Sequence, residues 1–153
     1  MAEPKPFTPF QEKVARFVIQ PMSKINTWIY RASGGRWGAK FSHGAPVCLL
    51  VTTGRKTGEP RTAPLLYLER GDDIVLVASQ GGMSKNPAWY LNLEANPDCD
   101  IEIGTKTLPM RARRASAEEK AELWPALVAM YPDYDTYQAR TDRDIPVLIC
   151  SPH

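Results

Sequence analysis

The stretch Gly54-Arg55-Lys56-Thr57-Gly58-Glu59-Pro60-Arg61 constrains this chain more than any other. It stands between two apolar runs, Pro46 to Thr53 and Thr62 to Leu68. Both read as strands, with Val47, Leu49, Leu50 and Val51 in one and Leu65, Leu66, Tyr67 and Leu68 in the other. Gly54, Gly58 and Pro60 are turn formers, so the chain reverses here. Arg55, Lys56 and Arg61 sit in or beside that one turn. Glycine lets backbone approach a ligand closely, and consecutive N–H groups in such a turn form an anion-binding nest. Two readings stand at this point: a solvated hairpin tip, or a cradle for phosphate or carboxylate groups.

The rest of the chain supplies more short strands. Arg70-Gly71-Asp72-Asp73 is a hairpin turn signal, and Ile74 to Ala78 form a third strand. Ser79-Gln80-Gly81-Gly82-Met83-Ser84-Lys85-Asn86-Pro87 is a glycine loop running into a helix start. Asn86 is placed to cap and Pro87 to open a helix over Ala88 to Ala95, which Asn96-Pro97 stops. A loop of this kind is either a plain connection or an anion and ring-edge site at a helix N-terminus. Trp89 and Leu93 in that helix read as core. Cys99 to Ile103 and Lys106 to Arg114 are two further strands around Gly104-Thr105. Ser116-Ala-Glu-Glu119 is a capping box, opening a helix to about Met130. Tyr131, Tyr134 and Tyr137 then recur every third residue, so one helical turn puts them on one face. They read either as packing or as flat walls whose hydroxyls reach a carbonyl or nitro oxygen. Ile145 to Cys150 is the last strand.

Upstream, Phe10 to Arg31 carry a helical pattern in Phe10, Val14, Phe17, Val18, Met22, Ile25, Trp28 and Ile29. Pro21 is expected to kink or split it. Lys13, Arg16, Lys24 and Arg31 are basic, and Glu12 is the one acid. The helix is read either as packed on its own domain or as lying on an anionic membrane surface. Residues 1–44 are therefore set apart as an N-terminal helical segment from a domain over 45–153. The whole is mainly β with helices, an antiparallel barrel of short strands.

Composition closes off several chemistries. A net charge of +2 leaves no nucleic-acid footprint. Cys48, Cys99 and Cys150 are far apart and odd in number, which suggests neither zinc spacing nor a disulfide framework, and fits a reducing cytoplasm. His43 and His153 are the only histidines, too few for a hydrolytic triad or a His-rich metal site. An enzyme of this composition leans on a bound cofactor. The polar start, Met1-Ala-Glu-Pro-Lys-Pro, has no apolar leader, and no run is long enough to span a bilayer.

Thr53-Gly-Arg-Lys-Thr-Gly-Glu-Pro-Arg61, Ala78-Ser-Gln-Gly-Gly82, Lys85-Asn-Pro-Ala-Trp-Tyr-Leu-Asn-Leu93, Met130-Tyr-Pro-Asp-Tyr-Asp-Thr-Tyr137 and Asp142-Arg-Asp-Ile-Pro146 together resemble the deazaflavin-dependent nitroreductase and quinone reductase family. The likeness covers about Pro46 to Pro152, and Met22 to Trp28 extend it. It implies a split β-barrel of the flavin-reductase type, reduced coenzyme F420 as hydride donor, and menaquinone-type quinones or nitroaromatics as acceptors. Carried over by motif, Arg55, Lys56 and Arg61 hold the anionic tail of the cofactor, with backbone contacts from Lys56, Thr57, Gly58, Glu59 and Pro60. The ring is lined by Pro64, Leu65 and Tyr67, by Val77, Ala78, Ser79, Gln80 and Gly81, and by Asn86, Pro87, Ala88, Trp89, Tyr90 and Leu91. Ser79, Tyr131, Tyr134 and Tyr137 face the acceptor. Gln80 replaces a lysine of many members and Ala63 an asparagine of some; the first removes a cation from the groove. A flavin mononucleotide reductase on the same barrel, or an F420 carrier without turnover, are the alternatives.

Overall fold

The computed structural model describes residues 4–41 and 44–153, with backbone alone at 16–23. The sequence expectations for Arg16, Phe17, Val18 and Met22, and for His43, lie outside the described side chains.

The Gly54–Pro60 turn does close an antiparallel pair. β1 (Val47–Thr53) meets β2 (Pro60–Leu66) in unbroken register from Thr53↔Pro60 to Val47↔Leu66. The second apolar run is not one strand. It breaks at Tyr67, whose N–H donates to Pro46 O at 3.2 Å, and resumes as β3 (Leu68–Arg70). β3 turns through Gly71 into β4 (Asp73–Val77). β5 (Asp98–Ile103) and β6 (Lys106–Arg114) form the expected hairpin. β7 (Val147–Pro152) starts two residues later than the apolar pattern placed it. Ile145 and Pro146 instead form the buried approach, where Pro146 O accepts from Ala78 N–H.

The sheet order is β2-β1-β5-β6-β7-β4-β3. β2 and β3 are therefore the two edges of a seven-stranded sheet, yet Tyr67 alone separates them in the chain. A single residue spans about 3.5 Å, so the edges can be neighbours only if the sheet curls until they meet. The result is a barrel split along the seam at Tyr67.

Alternation along the strands sorts side chains into two clusters. Cys48, Leu50, Ile74, Leu76, Ile101, Met110, Ala112, Leu148 and Cys150 fill the barrel, joined by Tyr67 from the seam. α2 (Ala88–Ala95) plugs that interior with Trp89, Tyr90 and Leu93. Val75, Val77, Val147 and Ile149 point outward and are covered by Leu123, Leu127, Tyr131 and Tyr134. Those four come from α3 (Ala117–Met130), α4 (Asp133–Arg140) and the turn between them. Leu50, Leu76 and Ile101 are fully buried, each worth about 1.5–3 kcal/mol of transfer free energy. The Ser116 capping box forms as expected, and Arg113 braces Glu119 through two bonds of 2.8 Å.

α1 runs from Pro9 to Ala32 and continues through Pro21 instead of splitting there. Its C-terminal half is anchored to the barrel. Tyr30 Oη accepts from Gly104 N–H at 2.7 Å, and Arg31 pairs with Glu102 at 2.6 Å and bonds Thr62. Near its N-terminal end the Glu12 carboxylate, 8 % exposed, accepts from both Ser84 N–H (2.7 Å) and Ser84 Oγ (2.9 Å). Four of its described apolar side chains do the reverse: Phe10, Val14, Ile25 and Trp28 are exposed.

Candidate active site

The cationic turn is built by its own backbone and by α2. Gly54 N–H donates to Glu59 O and Gly58 N–H to Gly54 O, each at 2.8 Å. A Cβ on Gly54 would lie 3.1 Å from both Glu59 O and Thr57 Oγ1, so a larger residue there would push the turn open by a few tenths of an ångström. Buried Asn92 of α2 then fixes it from behind. Its Oδ1 accepts from Arg55 N–H at 3.1 Å and its amide donates to Thr52 Oγ1 at 3.1 Å. Arg55, Lys56, Thr57, Gly58, Glu59, Pro60 and Arg61 are all exposed. Arg61 has Glu59 at 3.8 Å and Thr57 Oγ1 at 3.4 Å. Three solvent-facing cations with one distant carboxylate between them are a donor set suited to a polyanionic tail.

The Ser79 loop stands at the other end of α2. Asn92 lies four residues past the start of that helix at Ala88, so about 6 Å of helix axis separates it from the loop end. From Ser79 the backbone enters a 3-10 turn, Gln80–Gly82, with Gln80 at φ +45°. The Gln80 side chain folds back on its own loop, near Met83 Sδ and Lys85 O. Asn86 does not cap α2. Its Oδ1 is taken by Arg143 Nη1 at 2.6 Å, and Pro87, in extended conformation, occupies the cap position.

The loop and the tyrosines come together through a glycine. A Cβ on Gly82 would stand 2.6 Å from Tyr137 O and 3.0 Å from Tyr137 Cα. Arg140 of α4 closes the contact with a 2.9 Å bond to Gly81 O. The three tyrosines do form one cluster. Tyr131 and Tyr134 meet edge to face at 5.1 Å, and the Tyr131 and Tyr137 hydroxyls are 3.0 Å apart. Phe41, from the α1–β1 connection, adds a ring 6.0 Å from Tyr131. Burial raises the Tyr131 phenol above its ordinary value, reinforced by the bond to Tyr137. Burial raises Tyr134 as well. Both are therefore neutral hydrogen-bond donors at physiological pH.

The sequence-derived ring lining divides in two. Pro64 and Leu65 are half-buried on the edge strand β2, and Ser79, Gln80, Gly81, Asn86 and Leu91 are half-buried around the loop. Ala88 is exposed on α2. Tyr67, Val77, Ala78, Pro87, Trp89 and Tyr90 are buried; Trp89 and Tyr90 belong to the barrel interior and Val77 to the outer cluster. Sequence reasoning passed over Asn92, Arg143, Arg140, Glu12 and Phe41. Asn92 and Arg143 stand within motifs that carry the family resemblance and Glu12 is the one acid of its helix, but no role was assigned to any of the five. A polar Asn92 one position from the core residue Leu93 was the one visible signal.

A curled antiparallel sheet, closed at Tyr67 and plugged by a short helix, defines a split β-barrel of the flavin-reductase type. The family described as F420H(2)-dependent quinone reductase matches residues 22–152, and the chain belongs to it. It is accordingly an oxidoreductase with reduced coenzyme F420 as its hydride donor. It is 39 % identical over 137 residues to the F420H(2)-dependent quinone reductase Rv1261c of Mycobacterium tuberculosis, covering 88 % of this chain and 92 % of the relative. The solved F420-H2 dependent reductase FDR-A is 43 % identical over 69 % of this chain and 94 % of its own, with a TM-score of 0.65. A solved chain described as a domain-swapped dimer is 36 % identical over 86 % of this chain and 100 % of its own, at 0.67.

Proposed function

We propose that this site reduces quinones of the menaquinone type, and that compact nitroimidazoles are reduced at the same place. The contact between Gly82 and Tyr137 carries the reading, because it sets a planar-ring loop against an aromatic wall. Reduced coenzyme F420 supplies the hydride when bound. The protein's part is positioning and charge stabilisation. Arg55, Lys56 and Arg61 hold the anionic tail, and the Lys56–Pro60 backbone follows it. Pro64, Leu65 and the Ala78–Gly81 backbone flank the ring, with the α2 start at Asn86 to Leu91 beside it. Tyr137, the least buried of the tyrosines, meets the acceptor first, backed by Tyr131 and Tyr134. Ser79 Oγ and the tyrosine hydroxyls donate to the oxygen on which negative charge builds; one such donor is worth about 3 kcal/mol of barrier. A proton from that hydroxyl network or from water completes the hydroquinone. Hydride transfer between stacked rings requires no protein nucleophile, which suits a chain with so few histidines.

Titration with oxidised F420 and with flavin mononucleotide tests the cofactor assignment. Steady-state reduction of a menaquinone analogue and of a bicyclic nitroimidazole tests the acceptors. F420 binding with no turnover of either acceptor would leave a carrier, not a reductase.

α1 is proposed to lie on an anionic membrane. Phe10, Val14, Ile25 and Trp28 are exposed while Glu12 and Thr27 of the same helix are buried, the reverse of a helix seeking its own core. Lys13 and Lys24 are exposed beside them. No helix among the described residues is long and apolar enough to cross a membrane, so the contact is peripheral. Vesicle co-sedimentation compares the protein with a Phe10→Ser, Ile25→Ser, Trp28→Ser variant. Equal sedimentation of the two on anionic vesicles refutes the contact.

A further inference from the structure

Arg143 arrives from the connection between α4 and β7 and spends its whole guanidinium on one loop. An arginine has five N–H donors, and five bonds leave this one. Nε donates to Met83 O (3.2 Å), Nη1 to Ala78 O (3.0 Å) and Asn86 Oδ1 (2.6 Å), and Nη2 to Ser79 O (2.8 Å) and Met83 O (3.0 Å). None of these acceptors is a carboxylate. A fully forked set of donors, ending on three main-chain carbonyls and one amide, is a fixture for backbone shape.

Two consequences follow for the loop. Peptide units are planar and trans, and no cis bond occurs among the described residues. Turning the Ala78 and Ser79 carbonyls toward Arg143 therefore turns the N–H groups of Ser79 and Gln80 to the opposite side. Second, Gln80 is the one described non-glycine residue with positive φ. That conformation is strained for a residue with a Cβ and persists where neighbours over-determine it. Arg143 behind the loop, Arg140 on Gly81 O and Glu12 on Ser84 are those neighbours.

We infer that Arg143 is a positioning residue of the hydride-transfer site, fixing Ala78–Asn86 so that the Ser79 and Gln80 N–H groups stand ready for the negative charge of the bound ring and acceptor. This rests on the F420 reading above. Burial lowers the Arg143 pKa from its ordinary value, but a guanidinium stays charged at any working pH. Lysine keeps the charge and loses the planar fork, so it cannot replace it here.

The test compares wild type with Arg143→Lys, Arg143→Ala, Ser79→Ala and the Arg143→Lys/Ser79→Ala double variant. Three measurements are made on each: urea unfolding, fluorescence titration with oxidised F420, and steady-state reduction of a soluble menaquinone analogue. Arg143→Lys is expected to unfold cooperatively. Its F420 affinity and turnover should each fall at least about tenfold, the worth of one charge-assisted bond. The double variant should lose less than the product of the single losses, because Arg143 acts through the Ser79 loop. Millimolar guanidinium should restore F420 affinity to Arg143→Ala. Multiplicative losses in the double variant, or wild-type affinity and turnover in Arg143→Lys, overturn the inference while leaving the cofactor reading intact. Loss of cooperative unfolding in both Arg143 variants also overturns it, since the residue then supports the fold at large. Failure of the wild type itself to bind F420 sinks the cofactor reading and this inference with it.

Discussion

Replacing Gly82 by alanine separates the site from the fold. Gly82 has φ +78°, and an added Cβ would stand 2.6 Å from Tyr137 O, 3.0 Å from Tyr137 Cα and 3.2 Å from Arg140 Cβ. The left-handed backbone costs an alanine about 1–2 kcal/mol. Overpacking against main chain that cannot rotate away adds about 1–3 kcal/mol. The sum, about 2–5 kcal/mol, is smaller than the stability of most domains, which is about 5–15 kcal/mol. The variant therefore folds, with α4 pushed off the loop by several tenths of an ångström to one ångström. A displacement near 1 Å costs about 100-fold in a positioned reaction. The cationic turn lies at the far end of α2 and is untouched. Urea unfolding, F420 titration and quinone kinetics are read together. The expected result is a large fall in kcat/KM for the quinone, with F420 affinity falling much less. Gly71→Ala, in the β3–β4 turn, is the control: it shares a positive φ at +60° and meets no atom within 4 Å. It should lose only the backbone part, about 1–2 kcal/mol. Wild-type quinone kinetics in a folded Gly82→Ala protein would remove the loop–tyrosine contact from the mechanism.

Lys56→Ala should weaken F420 binding, and added salt should weaken it in the wild type, since exposed charges are screened; a salt-independent Kd refutes the tail assignment. Asn92→Ala leaves Arg55 N–H without its buried acceptor, so stability should fall by about 1–3 kcal/mol and F420 affinity with it, by urea unfolding and titration. Tyr134→Phe keeps the ring and deletes the donor, so kcat should fall more than KM rises, whereas Tyr134→Ala should harm both. Glu119 is held down to about 2 by Arg113 first and by its capping bond to Ser116. Its contribution is therefore complete above its ordinary 4.5 and lost as pH falls from there toward 2. Glu119→Gln should flatten that limb of a melting-temperature profile. Burial pushes the Cys48 thiol up to about 12, so a disulfide reagent at pH 7 should label Cys48 only after unfolding.

Local chemistry made most of the fold legible. Glycine and proline around Arg55 fixed the hairpin, the Ser116–Glu119 box opened α3 at the expected residue, and alternation found the strands within two positions. Each of those signals acts over a few residues. The break at Tyr67 does not, because it follows from the closure of a sheet whose edges are far apart in strand order. The same limit applies to the site. The cationic turn, the loop and the tyrosines were visible as motifs. Asn92 and Arg143 reach their partners across 37 residues to Arg55 and 57 to Asn86, and nothing in their own neighbourhood announces it. Asn86 shows how the two scales compete: a good capping residue was drawn to a charged donor, and charge-assisted bonds are about twice as strong as neutral ones.

The Ala78–Asn86 loop is gripped on both sides, by Arg143 from the barrel and by Glu12 from α1. Burying a carboxylate costs several kcal/mol unless its oxygens are satisfied, and Ser84 supplies a bond to each of the two Glu12 oxygens. The Glu12–Ser84 bonds thus hold the N-terminal end of α1 against the loop. In that pose Phe10 and Trp28 are 76 % and 71 % exposed, and about 25 cal/mol is gained for each Å² of such surface removed from water. The helix is thus held to the site by its polar face and left with an apolar face to satisfy elsewhere. A lipid surface meets that demand without breaking the Glu12–Ser84 bonds, whereas folding the apolar face onto the barrel would break them. Under the proposed membrane contact, lipid and the Ala78–Asn86 loop would be served by opposite faces of one helix.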